Sequence, residues 1–203
     1  MLVPVSQSNK INILLLGVFM AILSKAGANP GVLSYPPEDN MGIDNLYKAF
    51  SGAETEAFDN PWIRTTFREA EGGSTAFGPV QLTGNLVKNY LLNKPEIIED
   101  KDFANRYLMN ARKFAEHGNN KGKIPYFNPD YDYGGQGGMT TETDQEGYSK
   151  LSKAIMNDLW AKAKTTDNPL ENMIKYWRWG EGSDKSRDDD PEYFKRFFKH
   201  LGE

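Results

Sequence analysis

Apolar residues recur every three to four positions over most of the chain after residue 40, a spacing typical of amphipathic helices. Glycine or proline borders most of these segments, as expected at helix ends. Residues 74–83 depart from this spacing and indicate extended or hairpin-like structure. The pattern therefore predicts a mainly helical, α+β fold with a small extended segment. Helices are expected within residues 41–58, 61–71, 86–92, 97–117, 144–163 and 170–179, and after Pro191.

The N-terminal segment has the pattern of a secretory signal peptide. Lys10 precedes an apolar run over residues 11–23, and Ala26-Gly27-Ala28 provides a small-x-small cleavage site. The run is shorter than the ~20 apolar residues that span a bilayer. We expect residues 1–28 to be a signal peptide, or an N-terminal anchor that tethers the protein through residues 11–23. Either alternative predicts an exported protein in the periplasm, the cell envelope or the extracellular space.

The remaining chain divides into a linker with a short helix over residues 29–58 and a main domain over residues 59–203. The formal net charge of −4 argues against a nucleic-acid partner, because phosphate binding needs clustered cations. The chain has no cysteine and two histidines, which excludes disulfides and thiolate zinc sites. The Asp130–Gly134 segment lacks the spacing of a calcium loop, and Asp188-Asp189-Asp190 is expected to cap the last helix. No metal or cofactor is therefore expected.

Two glutamates are the candidates for chemistry. Asn60-Pro61 is a strong helix start, and Gly72-Gly73 would end that helix just after Glu69 and Glu71. Helical periodicity does not separate the two carboxylates. Glu71 is preferred because it directly precedes the glycines, where the backbone opens and a substrate can approach.

The segment Glu71-Gly72-Gly73, followed by Gly78-Pro79-Val80-Gln81-Leu82, resembles the lysozyme superfamily, particularly lytic transglycosylases and goose-type lysozymes. The family pattern is a helix-end glutamate with small residues, then a Gly-x-x-Gln-hydrophobic strand. The similarity covers about residues 61–83, although Gly72 replaces the usual serine and the spacer is shorter. The resemblance implies a lysozyme-like catalytic domain over residues 59–203, with Glu71 (alternative Glu69) as general acid and base.

The implied activity is cleavage of the β-1,4 bond between N-acetylmuramic acid and N-acetylglucosamine in peptidoglycan glycan strands. A transglycosylase needs one carboxylate, whereas an inverting hydrolase needs a second. The alternatives are a non-catalytic protein that binds cell-wall glycan and a structural protein of an envelope or virion. Candidates for the second carboxylate are Asp130, Asp132, Glu181 and Asp184. Residues expected to contact the substrate are Gln81, Phe77, Thr83, Tyr131, Tyr133 and Trp177.

Overall fold

Helices surround a small antiparallel sheet in the part of the chain that the computed structural model describes, namely residues 41–56, 59–63, 65–68, 74–117, 139 and 141–202. The predicted mainly helical, α+β class is confirmed. No helix within these residues is long and apolar enough to cross a membrane. The predicted signal or anchor segment lies outside them. The elements are α1 (Ile43–Thr55), β1 (Thr65–Arg68), β2 (Ser74–Phe77), β3 (Leu82–Thr83), α2 (Gly84–Asn93), α3 (Lys101–His117), α4 (Glu142–Ala163), α5 (Pro169–Trp179) and α6 (Pro191–Leu201).

Side-chain caps define where several of the predicted helices begin. The Thr83 hydroxyl accepts from the N–H of Leu86 at the start of α2, 3.2 Å away. The Asp190 carboxylate accepts from the N–H of Tyr193 at the start of α6, at 3.2 Å. Such bonds satisfy backbone donors that the first helical turn leaves unpaired. The capping role predicted for the aspartate run is therefore confirmed at Asp190.

The helix predicted over residues 61–71 is wrong. Asn60 does accept from the N–H of Trp62 (3.0 Å), but the turn it starts is a single 3₁₀ turn over Pro61–Ile63. Strand β1 follows and pairs with β2, in the register from Thr65 opposite Phe77 to Arg68 opposite Ser74. Ile63 and the two threonines of β1 are β-branched and favour extended backbone. The predicted helix is therefore replaced by a strand over residues 65–68, and Glu69 and Glu71 lie outside the described residues.

The extended run predicted over residues 74–83 is confirmed as β2 and β3, joined by a tight turn. The strand order is β1-β2-β3, and Phe77 pairs with Leu82. Gly78 opens the turn at φ 73°, and a Cβ there would lie 2.6 Å from the Met139 side chain. Glycine is needed at this position for both its backbone angle and its size.

Two buried tyrosines attach the sheet to the helices. The Tyr148 hydroxyl of α4 donates to the carbonyl of Phe77 (2.6 Å) and accepts from the N–H of Leu82 (3.3 Å). The Tyr107 hydroxyl of α3 donates to the carbonyl of Leu82. Both tyrosines are fully buried. These bonds hold the β2-β3 turn in one position against α3 and α4.

Helix α1 packs along α6 and is part of the folded body. Its buried residues include Leu46, Phe50 and Ala53, and the ring of Phe50 lies 4.7 Å from that of Phe197. The helix continues through Gly52, which faces the ring of His200. Packing therefore extends to the N-terminal side of residue 59, where the sequence suggested a domain boundary.

Replacing Gly52 by alanine should destabilise the protein, although alanine is the better helix former by about 1 kcal/mol. The new Cβ would lie 2.2 Å from Cγ of His200, so the helices must move apart. We expect a loss of about 1–3 kcal/mol in the free energy of unfolding, measured by urea denaturation. The double variant G52A/H200A should be more stable than G52A. A single variant more stable than wild type would contradict this account.

Candidate functional site

Three separate segments meet at the C-terminal end of α5. The indole Nε1 of Trp177 donates to the carbonyl of Val80, in the turn between β2 and β3, at 3.0 Å. The same ring lies 5.4 Å from that of Phe50 in α1. Trp177 therefore fixes α1, the turn and α5 relative to one another.

Gln81 and Phe77, both expected to contact substrate, have structural contacts. Gln81 is 8% exposed, lies at φ 49°, and its Nε2 donates to the carbonyl of Gly78 at 2.9 Å. Its amide thus closes the turn that carries Val80. Phe77 is fully buried, with its ring 5.6 Å from that of Tyr107. Phe77 supports the turn from the core side and offers no surface to a ligand.

Arg178 joins two acids beneath the end of α5. Its Nη1 lies 3.6 Å from Oε1 of Glu54, and its Nη2 lies 3.0 Å from Oδ2 of Asp190. The guanidinium also lies 4.6 Å from the ring centre of Tyr193. Burial alone would lower the pKa of Arg178, but Glu54, Tyr193 and Asp190 together raise it. Glu54, in the last turn of α1, has a side chain only 7% exposed.

A groove of about 430 Å³ opens directly beside this cluster, between α2 and the C-terminal end of α5. Thr83 lies at one end of it, and an amide-rich face of α2 forms one side. Aromatic residues of α5 form the opposite side. A concave surface with aromatic side chains and a few polar groups is typical of ligand sites. The lining includes Thr83, Asn85, Asn89, Asn93, Lys94, Lys162, Tyr176, Trp177, Arg178, Trp179 and Glu181.

An ion-paired network borders the groove through Tyr90 and Lys94. The carboxylate of Asp158 accepts from the Tyr90 hydroxyl (2.6 Å) and from Lys94 Nζ (2.7 Å). Burial alone would raise the pKa of Asp158, but the bonds from Lys94 and Tyr90 outweigh it and lower the pKa. Burial first, and then Asp158, raise the pKa of Tyr90. The network therefore fixes Asp158 as a carboxylate and Tyr90 as a neutral donor.

Replacing Asp158 by asparagine should lower stability at neutral pH by about 1–3 kcal/mol, because charge-assisted hydrogen bonds are lost. A carboxyl whose folded-state pKa is lowered stabilises the fold above its unfolded pKa, about 3.9. That contribution disappears as pH falls through the folded-state value. The difference between D158N and wild type in urea denaturation should therefore shrink below about pH 4. D167N changes an exposed aspartate and is the control; an equal loss there would contradict the assignment.

Besides Gln81 and Phe77, four predicted site residues lie within the described part of the chain. Thr83, Trp177 and Glu181 line the groove, with Glu181 paired to Lys162 Nζ at 2.5 Å. Asp184 is exposed and is not among the groove residues. The other candidates lie outside the described residues, and their roles stay predictions. These are Glu69, Glu71, Asp130, Tyr131, Asp132 and Tyr133.

Sequence reasoning missed Glu54, Arg178 and the asparagines of α2. A signal for Glu54 was present, since it lies near the end of a predicted helix that precedes the extended segment. Asparagine at every fourth position, Asn85, Asn89 and Asn93, was also readable as one helical face. The contacts of Arg178 depend on residues far apart in the chain, so no local pattern indicates them.

The chain matches no protein-family model, no curated protein and no solved structure in the comparisons with known proteins. Within the described residues, no group of three or more histidine, aspartate or glutamate side chains is arranged to hold a metal ion. The groove and the cluster of Glu54, Arg178 and Asp190 beside it are therefore the features that bear on function.

Proposed function

We propose that this protein is a peptidoglycan-cleaving glycosidase of the lysozyme or lytic transglycosylase type. The observation that carries the proposal is that Arg178, which lines the groove, contacts the buried helix-end glutamate Glu54, while the neighbouring Trp177 bonds the Gly78–Gln81 turn. Along the chain, this gives a helix ending in a glutamate, then antiparallel strands, then Gly-x-x-Gln. The lysozyme-like resemblance depends on a helix-end glutamate followed by Gly-x-x-Gln; the sequence indicated Glu71 for that glutamate, and we propose Glu54 instead.

Glu54 fits the role of general acid better than Glu71 does. Glu71 was selected as the end of a helix reaching Gly72, whereas residues 65–68 form strand β1. Glu54 does lie in the last turn of a helix, and Thr55 follows it. A helix C-terminus and burial disfavour negative charge on Glu54, whereas its contacts with Arg178 and Tyr193 favour it.

The neighbours of Glu54 are consistent with proton exchange. Arg178 is the counterion of two acids, Glu54 and Asp190. With both acids ionised, the three groups have a formal net charge of about −1. Glu54 is the more distant partner of the two, at 3.6 Å against 3.0 Å. A proton taken up by Glu54 would leave Arg178 still paired with Asp190. The cluster can therefore hold Glu54 in either protonation state without an unpaired buried cation.

The groove chemistry favours a one-carboxylate mechanism. Among the described residues that line the groove, Glu181 carries the carboxylate. That carboxylate is in an ion pair with Lys162. Because the described groove residues offer no second carboxylate outside an ion pair, we take the sugar's own 6-hydroxyl as the nucleophile. After donating its proton to the glycosidic oxygen, Glu54 would accept the proton of that hydroxyl. The product would be a strand ending in an anhydro sugar, as in a lytic transglycosylase.

The test is incubation of the full chain with purified peptidoglycan sacculi, followed by mass analysis of the soluble fragments. We expect released muropeptides with anhydro ends. Reducing ends instead would indicate a hydrolase and a second carboxylate. Absence of any release by folded protein would overturn the proposal.

A glycan-binding protein without activity is the second candidate function. The observation in its favour is that Glu54 contacts Arg178 rather than lining the groove itself. Such a protein would sediment with sacculi and release nothing from them. The same sacculi assay, with the pellet analysed for bound protein, separates the two functions.

A further inference from the structure

The face of α2 that borders the groove carries one asparagine per helical turn. Asn85, Asn89 and Asn93 are all exposed and all line the groove. Residues four apart on a helix stand above one another, about 6 Å apart along the axis. The three amides therefore form a straight row, which we call the amide row.

The amide row has hydrogen-bond donors and acceptors that no described residue uses. Asn93 Nδ2 donates to Asn89 Oδ1 at 2.6 Å, which leaves both N–H groups of Asn89 and the side-chain carbonyl of Asn93. Asn85 has no side-chain hydrogen bond to other described residues. Primary amides both donate and accept, so the row can bond hydroxyl and acetamido groups alike.

Aromatic rings stand on the other side of the groove. Tyr176 and Trp179, in the last turn of α5, are half-buried and line the groove opposite the amide row. An amphipathic ring can cover the apolar face of a pyranose while polar groups bond its edge. Amides on one side and rings on the other therefore suit a flat, hydroxyl-rich ring.

The charged groups of the groove are compensated by one another. Lys94 Nζ lies 2.7 Å from Asp158, and Lys162 Nζ lies 2.5 Å from Glu181. Arg178 is held by Glu54 and Asp190. No cation of the described groove is left for an anionic group of a ligand, so the groove chemistry favours an uncharged one.

We propose that the groove binds the uncharged pyranose rings and N-acetyl groups of consecutive sugars in a glycan strand, hydrogen-bonded by the amide row and stacked on Tyr176 and Trp179. The inference rests on the proposed function, because it assigns the path of the glycan strand away from the reacting bond. The strand runs from the Glu54–Arg178 end, past Thr83, along α2 towards Asn93.

The binding test uses a soluble chito-oligosaccharide and the full chain with both acid candidates removed, E54Q/E71Q. Tryptophan fluorescence should change saturably, since Trp177 and Trp179 lie in the groove. Adding N89A and N93A should weaken binding about tenfold or more, because two hydrogen-bonding side chains are lost. N157A, an exposed asparagine of α4 outside this groove, is the matched control and should leave the affinity unchanged.

Salt provides a second readout. The dissociation constant should change less than about twofold between low and high ionic strength, because the ligand is neutral and the lysines are paired. Unchanged affinity in N89A/N93A, or binding that requires an anionic ligand, would overturn the inference.

The two proposals can fail separately. If sacculi are cleaved but N89A/N93A leaves the KM for soluble glycan strands unchanged, only the inference on the groove is lost. If sacculi are not cleaved but the amide row still binds the oligosaccharide, only the enzymatic function is lost.

Discussion

E54Q should abolish the release of muropeptides from sacculi, with a loss of about 10²- to 10⁴-fold in rate. Glutamine keeps the size and hydrogen-bonding shape of Glu54 but cannot donate a proton to the glycosidic oxygen. Arg178 keeps its bond to Asp190 at 3.0 Å, so the fold should persist. The measurement is the initial rate of soluble fragment release, with thermal unfolding as a check on folding.

E56Q is the matched control for this variant. Glu56 lies two residues further along the chain, is 37% exposed and pairs with Lys199. The hydrogen bond from Lys199 keeps the pKa of Glu56 below its usual range, so this carboxyl has no proton to give at neutral pH. We expect E56Q to cleave sacculi at the wild-type rate.

E71Q and E69Q complete the comparison of acids. If the assignment of Glu54 is correct, both should retain most of the activity, within a few-fold of wild type. Full activity in E54Q together with loss in E71Q would return the role to the glutamate that the sequence first indicated. Loss of activity in E69Q alone would identify Glu69 as the general acid.

Helix positions were predictable from the sequence because periodicity and caps are local. The segments around Leu151, Met173 and Phe197 have clear apolar stripes with proline or glycine at their borders, and all three are helices. The segment after Asn60 shows the limit of this reasoning. Its cap and its spacing indicated a helix. Instead, its β-branched residues lie in strand β1, which pairs with β2.

The candidate site was predictable only in part for the same reason. Thr83 and Trp177 were found because they belong to a motif and to an aromatic cluster, respectively. Glu54 was overlooked because the choice of acid followed from the helix assigned to residues 61–71. Once that helix is replaced by a strand, the last helix before the sheet is α1, and its terminal carboxylate is Glu54. The helix assigned to residues 61–71 led to Glu71, whereas the observed strand leads us to propose Glu54, seventeen residues earlier in the chain.

R178M should have the largest effect on stability. Arg178 is 18% exposed and is the shared counterion of Glu54, itself 7% exposed, and of Asp190. Methionine fills a similar volume but leaves both carboxylates without their cation. Removing one partner of a buried ion pair costs about 3–5 kcal/mol. Urea denaturation should show a lower midpoint with an unchanged slope, since the same surface is exposed on unfolding.

The control and the double variant identify the cause of that loss. R187M removes an arginine that is 56% exposed and 3.8 Å from Glu171, so it should change stability by less than about 1 kcal/mol. E54Q/R178M should recover part of the stability lost in R178M, because the buried carboxylate without a counterion is no longer present. Additive losses in the double variant would contradict a direct coupling between Glu54 and Arg178. Recovery would instead show that a buried charge at Glu54 depends on Arg178, the residue that also forms the groove wall.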